Sequence, residues 1–153
     1  MSIEAKLEEM NLTLPPPPPQ GGVYQSMLVV GDQAYFSGHV PLLADGSMMT
    51  GKVGEEVDLE GAQAAARQVG LCILATAKNK LGSLDRIKRV VKLLGMVNCS
   101  LDFTQQPQVI NGCSELFREL WGPELGVGTR SAFGVGSLPA NVSVEIEGTF
   151  LVE

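Results

Sequence analysis

Arg130 is the residue whose surroundings most suggest chemistry. It lies in a run of small and β-forming residues, Gly128-Thr-Arg-Ser-Ala-Phe-Gly-Val135, where a guanidinium needs an anion. The anion is either a carboxylate of a neighbouring strand, Glu145 or Glu147, in a cross-strand ion pair, or a bound acid gripped by two parallel N–H donors. Other reactive combinations are weaker. Ser37 and His39 share a face of an extended strand by period-two alternation, yet His39 is the single histidine. It has no visible carboxylate to orient it, and the bland alternative is a strand-end imidazole bonded to backbone.

Gly46-Ser-Met-Met-Thr-Gly51-Lys52 fits seven positions of a phosphate loop, but Val53 stands where a hydroxyl would ligate magnesium. Gly54-Glu55-Glu56 follows where a helix should start, which argues against a nucleotide site. Cys72, Cys99 and Cys113 are odd in number and lack close spacing, so neither a disulfide framework nor a zinc site is expected. No metal is expected, and the thiols imply a reducing, cytoplasmic compartment.

The elements that must position these residues are legible from periodicity. Ile3, Leu7 and Met10 predict a short amphipathic helix that docks on its own subunit or a neighbour. Pro15 to Pro19 then form a semi-rigid spacer. Residues 1–20 therefore read as a helix and spacer preceding one domain over 21–153. Val23 to Val30 and Gln33 to Ser37 predict a hairpin, with Gly31-Asp32 as a type II′ turn. A short strand near Met48 to Gly51 is an optional third.

Asp58 caps a long helix whose Leu59, Ala62, Ala66, Val69, Ile73 and Ala77 recur three or four apart until Gly82. Ile87 to Cys99 reads as a strand, and Pro107 opens a second helix that Gly122-Pro123 ends. Gly128 to Val135 and Val142 to Val152 are the last strands. The order is β-β-(β)-α-β-α-β-β, an α+β domain with a mixed sheet of five or six strands and two helices on one face. The opposite face then meets water or another subunit. With 44% hydrophobic residues in 153, a further copy of the chain is the expected cover.

The net charge of −6 disfavours nucleic acid, because backbone binding rests on Lys and Arg displacing counterions. Six basic residues between Lys78 and Lys92 read instead as a solvated helix end. No apolar run is long enough to cross a bilayer.

The stretch Arg130-Ser-Ala-Phe-Gly-Val-Gly-Ser-Leu-Pro-Ala-Asn-Val-Ser-Val-Glu145-Ile-Glu147 resembles the C-terminal signature of the Rid (reactive intermediate deaminase) family. Gly22-Val-Tyr24, Phe36-Ser37-Gly38-His39-Val-Pro41 and Ile110-Asn111 resemble its earlier segments. The likeness spans about residues 21 to 153. It implies a chorismate-mutase-like fold, a homotrimer with clefts between subunits, and hydrolysis of a small carboxylate-bearing imine or enamine to a keto acid and ammonia. No organic cofactor or metal is implied.

By the same resemblance Arg130 anchors the substrate carboxylate, and Glu145 orders water or shuttles the proton. Tyr24, Ser37 and Asn111 supply hydrogen bonds around the ligand. Ala132 stands where the deaminase branch often has cysteine, and His39 where it has glutamine. These departures reshape the pocket rim, so a non-catalytic carboxylate binder on the same scaffold remains the alternative, with a ribonuclease or RNA binder third.

Overall fold

The computed structural model describes all residues, 1–153. Helix α1 (Ile3–Glu9) is capped by Ser2, whose Oγ accepts from the Ala5 N–H at 3.0 Å. Strands β1 (Met27–Val30) and β2 (Gln33–His39) form the predicted hairpin. Gly31 takes φ 62° while Asp32 does not go positive, the combination that a II′ turn requires. Helix α2 (Leu59–Leu81) starts where expected, with Asp58 Oδ1 accepting from the Gly61 N–H at 2.8 Å. It stops at Gly82, whose φ of 86° suits a residue without Cβ.

Strand β3 (Ile87–Asn98) follows a single 3₁₀ turn, and helix α3 (Gln106–Leu125) follows β3. Gly122 (φ 82°, ψ 172°) breaks α3, so the regular helix ends at Trp121 as Gly122-Pro123 predicts. Strands β4 (Thr129–Val135) and β5 (Val144–Val152) complete the chain.

The five strands form one mixed sheet in the order β1-β2-β5-β3-β4. Only the β3–β4 pair is parallel. The optional strand near Met48 to Gly51 contributes only isolated bridges, Leu42 with Met48 and Thr50 with Val142. The first strand begins at Met27 rather than Val23. Upstream, the chain bends so that Tyr24 Oη accepts from the Gly21 N–H at 3.1 Å.

Helices α2 and α3 cover one face of the sheet. Phe150 from the sheet meets Phe117 and Trp121 of α3 and packs on Phe36, with the Phe36 and Phe150 rings 4.8 Å apart. Ile3 and Leu7 of α1 are buried in the same core cluster, so the N-terminal helix docks on its own chain. Lys6 Nζ donates to the Leu120 carbonyl at 2.7 Å, and Glu4 accepts from the Leu84 N–H at 3.1 Å. No helix is long and apolar enough to cross a membrane.

The other face of the sheet is uncovered within the chain. Tyr35 lies between buried Ala34 and Phe36 and pairs with Leu28 and Thr149. By pairing and alternation Leu28, Val30, Tyr35 and Phe133 all point to that open side, each more than 40% exposed.

The basic cluster departs in part from a simple helix end. Lys78 and Lys80 occupy the last turn of α2, while Lys88, Arg89 and Lys92 belong to β3. Arg86 donates to the Leu81 and Glu153 carbonyls, Lys88 pairs with Glu153 at 2.6 Å, and Arg89 donates to the Glu124 carbonyl. Three of these six cations, Arg86, Lys88 and Arg89, thus serve the chain's own structure.

Candidate functional site

Strand β4 is a sheet edge, and that decides the environment of Arg130. Its Cα partner is Leu93 of β3, and Leu93 is 4% exposed against the helices. Arg130 therefore points to the helix side. The expected cross-strand pair with Glu145 or Glu147 does not form, because β3 lies between β4 and β5. Glu145 pairs with Met96, and Met96 with Phe133, so Glu145 occupies the open face on the opposite side of the sheet.

Arg130 is held instead by neutral oxygens. Its Nη1 donates to Asn111 Oδ1 at 2.7 Å and to Ser114 Oγ at 3.1 Å. No carboxylate lies within ion-pair distance; the salt bridges of the chain are Arg67–Glu119, Lys88–Glu153 and Arg118–Glu115. A guanidinium has five N–H donors. Two are engaged by Asn111 and Ser114, which leaves the Nε and Nη2 edge without a protein partner. That edge is a two-donor fork suited to a carboxylate.

Arg130 lines a cleft of about 370 Å³ between α3 and the β4 edge. Leu93 forms part of its wall, Thr129 and Gly128 its sheet side, and Ser114 and Arg118 its helix side. Asn111, Ser114 and Arg118 repeat at intervals of three and four, one face of α3. Of these, only Asn111 is expected from sequence. The i+3 and i+7 spacing from Asn111 is the signal that points to Ser114 and Arg118.

Tyr24 and Ser37 are brought together elsewhere. Ser37 Oγ donates to the Gln25 carbonyl at 2.5 Å and its N–H to the Ser26 carbonyl at 3.0 Å, tying down the segment that carries Tyr24. The hydroxyl is thus engaged in fixing a loop. Glu145 lies beside this junction: a Cβ on Gly38 would come within 2.2 Å of Glu145 Oε2, so a side chain there would require the carboxylate to move. Burial raises the Glu145 pKa above the ordinary carboxylate value, and the charge of Glu147 raises it further.

Ser37 and His39 do not share a face. A bulge between Phe36 and His39 shifts the alternation and turns the imidazole inward. His39 is buried, with Nδ1 2.6 Å from the Ser37 carbonyl and Nε2 2.8 Å from Thr76 Oγ1. Since a carbonyl only accepts, Nδ1 carries the proton and the neutral ring accepts from Thr76 at Nε2. This is the backbone-bonded histidine of the bland reading. Burial lowers its pKa below 6.5.

In the phosphate-loop look-alike, Lys52 Nζ donates to Asn98 Oδ1 and the Gly136 carbonyl at 3.1 and 2.9 Å. The lysine braces two loops. All three cysteines are free and buried, and no group of three or more metal-ligating side chains comes together.

The candidate residues thus form two sets within one chain. Arg130 and Asn111 line a cleft at one edge of the sheet, while Tyr24, Ser37 and Glu145 gather around the β2 bulge, with Glu145 on the open face.

The fold agrees with the known proteins to which the chain is similar. Residues 4–146 match the family described as "YjgF/chorismate_mutase-like, putative endoribonuclease". The match begins within α1, upstream of the boundary expected near residue 21. A crystal structure of a protein of unknown function from Agrobacterium tumefaciens superposes with a TM-score of 0.90 at 39% identity, covering 99% of this chain and 94% of that one. Protein TCP17 of Trypanosoma cruzi is 38% identical over 95% of this chain and 91% of its own length. RidA from an Antarctic Psychrobacter, at 25% identity and a TM-score of 0.63, covers 89% of this chain and 94% of that one. The chain belongs to the YjgF/chorismate-mutase-like family, the Rid family.

Proposed function

We propose that this protein is a homotrimeric deaminase that hydrolyses a small carboxylate-bearing imine or enamine in a cleft between subunits. The observation that carries this reading is the open fork of Arg130, a guanidinium fixed by Asn111 and Ser114 and left without any carboxylate of its own chain. A substrate carboxylate on Nε and Nη2 would hold the adjacent imine carbon in a fixed position, which supplies much of what such a reactive electrophile needs.

The partition of the candidate residues supports assembly. Glu145 of the same chain lies on the far side of the sheet from Arg130, so the carboxylate that serves a given Arg130 comes from a second copy. The uncovered face around Tyr35 supplies the surface for that contact.

In the proposed reaction, water adds its oxygen to the imine carbon and the C=N π pair moves to nitrogen. The partner subunit's Glu145 takes the proton released by water and returns it to nitrogen. The partner subunit's Glu145 then carries the hydroxyl proton of this adduct to nitrogen, and ammonia leaves with the C–N bonding pair as the electron pair left on oxygen forms the C=O bond, giving the keto acid. A carboxylate whose pKa is raised by burial is a better base for this than a solvated one. No metal or organic cofactor enters these steps.

The test is direct. An amino-acid oxidase generates imines in situ, and semicarbazide traps those that persist. The wild-type protein is expected to reduce the trapped fraction across a panel of amino acids, and Arg130→Ala to lose at least about 100-fold of that effect, the scale of a lost charge-assisted pair. No acceleration with any imine would reject the catalytic reading. Carboxylates that raise the melting temperature of the wild type but not of Arg130→Ala, without turnover, would establish the carboxylate binder instead.

The family's description as endoribonuclease raises RNA cleavage as the other activity to weigh. The net charge of −6 and the engagement of Arg86, Lys88 and Arg89 within the chain oppose it.

A further inference from the structure

Arg130 is not the only guanidinium in its cleft. Arg118 lines the same 370 Å³ space from α3. Its one polar partner is Glu115, three residues earlier and joined at 2.7 Å, with both side chains about half exposed at 54% and 47%. Such an exposed i,i+3 pair is weak, because water and salt screen it and both side chains lose freedom to form it. Arg118 can therefore change partner at small cost.

The two cations are spaced along one helix face. Ser114, whose Oγ accepts from Arg130, precedes Arg118 by four residues, a rise of roughly 6 Å along α3, so both guanidiniums serve the same stretch of one helix face. The carboxyl carbons of a four- or five-carbon diacid are about 4–5 Å apart. Leu93 and Gly128 also line the cleft, and its other side-chain donors, Asn111, Ser114 and Thr129, are neutral. Among the cleft-lining side chains, Arg118 and Arg130 outnumber the single acid, Glu115, in a chain whose net charge is −6. A local excess of positive charge in an acidic protein selects for anions.

We propose that Arg118 is a specificity-determining residue and that the preferred ligand is dianionic: a small dicarboxylate, and for catalysis the imine of an acidic amino acid. Arg130 holds the carboxylate next to the imine carbon, and Arg118 leaves Glu115 to hold the side-chain carboxylate. This rests on the Arg130 reading above and names the substrate class for that site.

Calorimetric titration with two unreactive probes, succinate and butyrate, tests it at low ionic strength, where screening is least. The full-length wild type is expected to bind succinate at least about tenfold more tightly than butyrate, as a second charge-assisted contact would give. Arg118→Gln brings that ratio to about two or less, and Glu115→Gln raises succinate affinity by releasing Arg118. Lys80→Gln, which removes the same charge at the remote end of α2, keeps the wild-type ratio. Equal binding of the two acids by the wild type, or an undiminished ratio in Arg118→Gln, overturns the dianion proposal. If butyrate binding still depends on Arg130 in that event, the carboxylate-anchor reading stands. If neither acid binds, both fall.

Discussion

At the residue scale, the chemistry turns on which polar groups are satisfied by the chain and which are not. His39 is fully engaged: its two nitrogens meet a carbonyl and a hydroxyl within the fold, and burial depresses its pKa. Below about pH 6.5 the unfolded chain takes up a proton at this imidazole that the folded chain resists. Stability contributed by the buried neutral ring is therefore present above that value and lost as pH falls through the window below it. Urea unfolding between pH 7 and pH 5 should show this loss, and His39→Gln, which keeps hydrogen-bonding capacity without a titrating group, should flatten it. An unchanged slope in that variant would show that another group is responsible.

Arg130 is the reverse case. Its type and its apolar neighbours marked it in the sequence, whereas the identity of its partners depended on strand order. Taking β4 and β5 as neighbours made a cross-strand ion pair the natural expectation. The connection through residues 136–143 instead passes over β3, and the carboxylates end up one strand too far away and on the wrong face. The inward turn of His39 was hidden for a similar reason: one extra residue in a bulge reverses the alternation, and nothing in Phe36-Ser37-Gly38-His39 announces it.

At the element scale, local signals were sufficient. Asp58, Gly82, Pro107 and Gly122 bound the two long helices as their backbone chemistry requires, and the alternation of β5 gave its buried face directly. What periodicity could not reveal is how closely α2 and α3 approach. A Cβ on Gly112 would come within 2.1 Å of the Gln63 carbonyl oxygen, and one on Gly70 within 2.9 Å of Leu116. The helices are in near-backbone contact there, and Gly112 adjoins Asn111, which positions Arg130. Gly112→Ala should lower stability by about 1–3 kcal/mol, the cost of overpacking a closed interface, and should weaken butyrate binding through the displaced Asn111. Denaturant unfolding and calorimetry check the two effects; a neutral change in both would show that the helices part freely.

At the scale of the whole molecule, the sheet is covered on one side only. Leu28, Val30 and Tyr35 at the β1–β2 edge and Phe133 on β4 expose large apolar side chains on that face, a surface suited to cover by another copy. Sedimentation equilibrium should return three times the mass of one chain, and Tyr35→Glu, within the apolar part of that face formed with Leu28 and Val30, should dissociate the assembly while leaving the helix-side core intact. It should also abolish turnover, since Arg130 would lose the partner subunit's Glu145. A wild type that sediments as a single chain would refute both the assembly and the shared site. The sequence conveyed that some surface needed a partner, through its apolar content and its pair of one-sided helices. It could not convey that the candidate polar groups divide between the two sides of the sheet, because that follows from the order of strands.

That order also constrains how the polypeptide can come together. Strand β5 is the seam of the sheet: without it, the β1–β2 hairpin and the β3–α3–β4 unit share no backbone ladder. Two halves made earlier must therefore wait, each with an open edge, for the strand that follows both of them in the chain. Folding during translation cannot proceed piecewise from the N-terminus, and any ribosome-bound intermediate lacking this segment presents unpaired strands that invite association with other nascent chains.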